Sequence, residues 1–212
     1  MTPEAWRQAA PRKDILAQLH KQLGKGPPPK GSEVHLCFTT DPYQPCEAEH
    51  HITRRAIQEL AGAGLRPAIL TKNPRLALQD LGLLLETRAK FGVTMLLTEE
   101  KDREHWEPGA STLADRAGAL GDAKSAGLET WLSIEPVIDP AQALDVISRV
   151  GPYADTVKVG KLNHDAEIEK GIDWRKFLFD ALERLADIGA RYYIKTDLAA
   201  FGGEGFKQTG GE

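Results

Sequence analysis

Several polar side chains of this sequence stand where apolar runs give out. Thr40 and Asp41 follow EVHLCF, Lys72 follows RPAILT, Glu135 closes ETWLSIE, and Lys158 sits within DTVKVG. FGVTMLL carries Thr94 and leads to Thr98, and RYYIK ends in Lys195. Asp41 and Glu135 are acceptors for a cationic amine or for ribose hydroxyls. Lys72 and Lys158 are donors for a carboxylate or a phosphate. A zwitterion with a sugar attached satisfies such a set. Plainer readings stand beside this one. Asp41 caps the Asp-Pro-Tyr turn, Lys72 caps a helix end or is solvated, and Glu135, followed by Pro136, belongs to a turn. Lys158 resists a plain reading, because it lies inside an apolar run, and a buried charge is costly unless it is paired or serves a ligand.

The elements that must position these residues alternate in kind. The runs at 33–38, 66–71, 91–97, 129–135, 155–160 and 191–195 are short, apolar and β-rich, and read as strands. Amphipathic stretches at 13–23, 48–63, 74–89, 111–126, 140–149 and 173–188 read as helices. Asn73-Pro74 and Asp139-Pro140 open helices with proline at the first position, Asp173 is an N-cap, and Gly64 and Gly127 stop helices. Strict alternation predicts an α/β fold with a parallel sheet and right-handed crossovers. A closed or open barrel and a doubly wound sheet both satisfy it. In a parallel barrel, ligands bind at the carboxyl ends of the strands, which is where the polar side chains fall. The alternation begins with a helix, as in a barrel whose first strand is missing or one with an added helix.

The chain has 212 residues, 41% hydrophobic and 27% charged, with a formal net charge of −4. That length allows one sizeable core, and the charge gives no general pull toward nucleic acid. No apolar run reaches the length of a membrane span, and the first residues carry no apolar signal region. The two cysteines, Cys37 and Cys46, make no disulfide scaffold, which fits a reducing, cytoplasmic setting.

The segments FTTDPYQPCEAEHHITRRAIQEL, ILTKNP, EHWEPGA, TWLSIEPVIDP, VKVGKLNH and IDW occur in this order. Together they resemble the radical SAM family similar to spore photoproduct lyase, over roughly residues 12–198. The resemblance implies a partial (β/α) barrel, here 1–198, and the glycine-rich composition of 199–212 reads as a flexible tail. It implies S-adenosylmethionine and a [4Fe–4S] cluster as cofactors, and reductive cleavage to a 5′-deoxyadenosyl radical that abstracts hydrogen from a substrate. It places Thr40 and Asp41 against the methionyl part of S-adenosylmethionine and Lys72 near its carboxylate. The residue expected near the ribose falls at Leu96, with Thr94 two residues earlier on the same face. Glu135 and Lys158 line the same mouth.

The sequence departs from the family in two ways. It contains no C-x-x-x-C-x-x-C, the loop whose thiolates hold such a cluster. First strand and cluster loop are missing together, as in a chain that starts late, a cluster-free descendant, or a barrel completed by another polypeptide. No metal ligands are assigned; CEAEHH, with Cys46, His50 and His51, reads as the opening of a helix. The family's hydrogen-donor cysteine falls at Phe38, and Cys37, one position earlier, points to the opposite face as a packed thiol. Thymine-dimer repair is therefore not expected. Two other readings stay open. One is a non-catalytic module that binds S-adenosylmethionine or a nucleotide. The other is an unrelated barrel aldolase with Lys158 or Lys195 as Schiff base. Around the mouth, Tyr43 reads as a ring-stacking or plain turn residue, Arg54 as a surface ion pair or a mouth residue, and EHWEPGA as a loop anchored by Trp106.

Overall fold

A computed structural model describes residues 8–36, 40–163, 165–204 and 206. Cys37, Phe38 and Thr39 lie outside the described residues, as do 205 and 207–212 of the glycine-rich tail. All six expected strands form: β1 (Glu33–Leu36), β2 (Arg66–Thr71), β3 (Lys90–Thr94), β4 (Glu129–Val137), β5 (Thr156–Lys161) and β6 (Arg191–Ile194). They pair in parallel, in the order β1-β2-β3-β4-β5-β6. Sequential order means that every crossover advances in one direction, so the helices collect on one face of the sheet. A doubly wound sheet would reverse direction partway. Among the described residues β1 and β6 do not pair with each other. The fold is thus an open, partial (β/α) barrel.

Alternation along the strands builds the core. Ile69, Phe91, Val93, Leu132, Ile134, Val157, Val159 and Ile194 are each 1% exposed or less. They pack with helix residues such as Ile57, Leu84, Leu120, Ile147 and Leu178. Each such buried side chain contributes about 1.5–3 kcal/mol. Asp139 and Asp173 cap their helices, accepting from the backbone N–H of Gln142 at 3.0 Å and of Lys176 at 2.9 Å. Gly64 and Gly127, at φ 77° and 96°, turn the chain out of the helices that precede β2 and β4.

Several elements differ from expectation. The helix expected at 48–63 is two, Glu47–His50 and Ile52–Gly62, separated by His51 in the left-handed region at φ 50°. Glu47 explains the break: its carboxylate accepts from the N–H groups of Ile52 at 2.9 Å and Arg54 at 3.1 Å, capping the second helix. The stretch expected at 74–89 is Pro74–Ala77, a 3-10 turn at Leu78–Asp80, and Leu81–Glu86. The helices Glu100–Trp106, Ala166–Gly171 and Thr196–Ala199 were not expected. Beyond the last of these, a turn at Ala200–Gly202 is held by Arg175, which donates to the Phe201 carbonyl at 2.9 Å.

Candidate functional site at the open face of the barrel

The strand residues that alternate with the core project to the face without helices. Register sets them in rows. Thr94 pairs with Ser133, Ser133 with Lys158, and Lys158 with Tyr193, so one polar row crosses β3 to β6. One step toward the carboxyl edge, Glu135 reaches across β5 to Lys195, which lies beyond that strand, with 2.5 Å between Oε2 and Nζ. Gly160 stands between them. A Cβ there would come 3.0 Å from the Glu135 carboxyl group, so a larger residue would press on the crossing side chain. Thr94, Glu135 and Lys158 therefore share one face.

Below the row lies an aromatic residue that the sequence reading passed over. The Lys158 Nζ sits 4.3 Å from the Trp131 ring centroid, a cation–π contact. His35 meets the same ring edge-on at 5.8 Å. The indole occupies the space where a Cβ on Gly92 would lie, 2.2 Å from its nearest atom. Trp131 is 7% exposed, and its Nε1 has no hydrogen-bond partner among the described residues. The signal in the sequence was the period of two that places Trp131 with Ser133 and Glu135.

Charges close the amino end of this face. Lys90 lies 2.6 Å from Glu33 and 3.3 Å from Glu129, and Arg66 lies 2.7 Å from Glu129. His35 completes the group, 2.8 Å from Glu33. Burial pushes the Glu33 carboxyl up, but the hydrogen bond and charge of Lys90, with His35 and Lys158, leave it below the ordinary value. Burial lowers His35, Glu33 opposes this, and Lys158 reinforces it, so the imidazole is held below its ordinary value.

At the ends of β1 and β2 the arrangement is tighter. Asp41 accepts from the Tyr43 N–H at 2.8 Å, from the Thr71 hydroxyl at 2.7 Å and from the Lys72 N–H at 2.6 Å. Burial raises its pKa, against those bonds and the Lys72 charge. Thr40 is exposed at a bend beside it. Tyr43 is 1% exposed and donates to Asp80 at 3.2 Å, so it is a core residue with no free ring face to stack on a ligand. Arg54 pairs with Asp80 as well. Lys72 turns its Nζ to Glu107, 2.9 Å from Oε1. Glu107, with Arg116 beneath it, anchors the connection after β3, whereas Trp106 is 42% exposed. Nothing in the sequence distinguished Glu107 from its charged neighbours.

Among the described residues no group of three or more His, Cys, Asp or Glu is placed to hold an ion. Burial and the charge of Glu47 push the Cys46 thiol up, away from the thiolate a metal requires. With two cysteines in the whole sequence, the residues present do not fit a three-thiolate cluster site. Among the described residues no helix is long and apolar enough to cross a membrane. A cleft of about 920 Å³ lies at the amino ends of the strands, lined by Gly31, Gly64, Arg66 and Arg88.

No family model and no curated protein matches the chain. Solved structures do. A spore photoproduct lyase mutant superposes with a TM-score of 0.65 at 13% identity, covering 85% of this chain and 65% of that one. A mutant with dinucleoside spore photoproduct gives 0.65 at 14% identity, with the same coverages of 85% and 65%. One with bound AdoMet and dinucleoside spore photoproduct gives 0.59 at 13%, again covering 85% and 65%. The chain has the fold of these spore photoproduct lyase structures and spans 65% of their length.

Proposed function

We propose that this chain is a radical SAM-type barrel domain that binds S-adenosylmethionine on its open face. The observation that carries the reading is the polar row Thr94–Ser133–Lys158–Tyr193, topped by Glu135 and Lys195, on a sheet with the winding of spore photoproduct lyase. Lys72 is the group for the ligand carboxylate. Glu135 and Thr94 offer acceptors to amine or ribose, and Thr40 precedes Asp41 at the exposed bend. Asp41 serves the same site through its backbone bonds, which fix the end of β2 and therefore Lys72. Lys158 supplies positive charge to the floor. S-Adenosylmethionine would bring the adenosyl group from which lyase-like radical chemistry starts. The cysteines of this chain do not fit the cluster that such chemistry needs, so we assign it binding and no radical step.

A non-catalytic binding module is the form of this proposal that the two cysteines favour. The aldolase reading has less support. A Schiff-base lysine reacts as the neutral amine, whereas Lys195 is the cation of an ion pair and Lys158 stacks as a cation on Trp131. Calorimetric titration with S-adenosylmethionine tests the proposal. The wild-type chain should bind, and Lys72→Met should bind about tenfold more weakly, the equivalent of one charge-assisted hydrogen bond. No heat of binding with the wild type would refute it.

A further inference from the structure

Lys72 is fixed at three points. Its N–H donates to Asp41 at 2.6 Å, its carbonyl accepts from the Ser111 N–H at 3.0 Å, and its ammonium lies 2.9 Å from Glu107. The third contact is unlike the others, because its partner is a buried charge. The Glu107 side chain is 2% exposed and that of Arg116 is 0% exposed. Burying a carboxylate is costly unless a cation goes with it. Arg116 provides that cation, donating from Nη1 to Glu107 Oε2 at 2.7 Å. Arg116 is itself tied to the scaffold. It donates to the Thr94 carbonyl at the end of β3 and to the Ser111 carbonyl, both at 3.0 Å. Glu107 Oε2 is thus engaged by Arg116, and Oε1, which has no hydrogen bond among the described residues, meets Lys72 as an ion pair. The Lys72 side chain is 37% exposed, so it pairs with a buried carboxylate while remaining open to solvent along part of its length. An ammonium has three donors, and Glu107 engages it from one direction.

We propose that Glu107 is a positioning residue: locked by Arg116, it orients the Lys72 ammonium toward the carboxylate of the bound ligand. This rests on the reading of Lys72 given above. A lysine on a flexible stem pays rotamer entropy each time it meets a ligand. A lysine already held by a buried carboxylate has met that cost on folding, so the gain appears as selectivity for ligands that carry the carboxylate. Pre-organisation of this kind acts on one functional group of the ligand and not on the rest.

The test compares S-adenosylmethionine with its decarboxylated analogue, which keeps adenosine, sulfonium and amine, by calorimetry on the full chain. Wild type should prefer S-adenosylmethionine by about tenfold, as one charge-assisted bond implies. Lys72→Met should abolish that preference. Glu107→Gln should reduce it several-fold while leaving affinity for the analogue unchanged. Glu107→Asp guards against misfolding. It keeps a counter-charge for Arg116 but is one methylene too short to reach Arg116 and Lys72 together, so it should fold and still lose preference. A readout on the wild type alone is the Lys72 ammonium signal in a nitrogen-15 spectrum. Protection from solvent exchange is expected, and rapid exchange like that of an exposed lysine would overturn the proposal. If wild type binds neither ligand, the S-adenosylmethionine reading fails and takes this inference with it. If wild type shows the preference, Lys72→Met abolishes it and both Glu107 variants keep it, the positioning role alone is overturned.

Discussion

The carboxylate of Asp41 receives two backbone N–H groups and one hydroxyl, so removing it strips acceptors from donors at the ends of two strands. Asp41→Ala should cost about 1–3 kcal/mol of stability, read as a lowered midpoint in urea. A midpoint equal to wild type would mean that these donors find other partners. The sequence placed Asp41 at the mouth, and its aspartate-proline turn was readable. Its bonds to Thr71 and Lys72 were not, since they join positions thirty residues apart. Gly92 makes a second residue-scale case. A methyl group there would overlap the Trp131 indole at 2.2 Å, and overpacking of this sort costs about 1–3 kcal/mol. Gly92→Ala should therefore destabilise the chain and alter Trp131 fluorescence, whereas an unchanged spectrum and midpoint would show that the ring has room to retreat.

The strands were legible as elements because each carries an apolar side every second residue, and that period placed Thr94, Glu135 and Lys158 on one face. Helix starts at Asp139 and Asp173 and stops at Gly64 and Gly127 were legible for local reasons, since a cap or a positive φ needs only the neighbouring residues. The break at His51 was not, because it depends on where the Glu47 carboxylate turns. The Glu100–Trp106 helix was missed because its polar sequence shows no apolar stripe, and its ties are ionic, through Arg103 and Glu100. The charges at the amino ends of β1 to β4 support a prediction at this scale. Glu33 and Glu129 are held below their ordinary values, each by basic neighbours that outweigh burial. Lowered carboxylates add stability above the ordinary carboxylate range, and that stability is lost as pH falls through the folded value. His35, also lowered, acts with the same sign, since protonating it is harder in the folded chain. Thermal stability should therefore fall on acidification below the ordinary carboxylate range, and Lys90→Met should flatten that dependence. These groups are partly exposed, so the slope should weaken in high salt. A slope identical in the variant would show that other carboxylates set it.

At the scale of the molecule, the order of the strands decides between the architectures that the alternation left open. Sequential pairing gives barrel winding, and the lyases it superposes on share that winding over 85% of this chain. The same scale sets what the chain is expected to lack. Incubated anaerobically with iron and sulfide, it should take up no stoichiometric [4Fe–4S] cluster, because three thiolates cannot come from two cysteines. Clear cluster absorbance at one per chain would contradict this. The proposed ligand is tested most directly through Trp131, whose indole ring lies beneath Lys158 on the open face, while Trp174 packs against Phe177 and Phe201 and Trp106 stands on the surface. In a proton–nitrogen spectrum titrated with S-adenosylmethionine, the Trp131 indole signal should move and saturate while those of Trp106 and Trp174 stay in place. A Trp131 signal that does not respond at saturating ligand would contradict binding on this face.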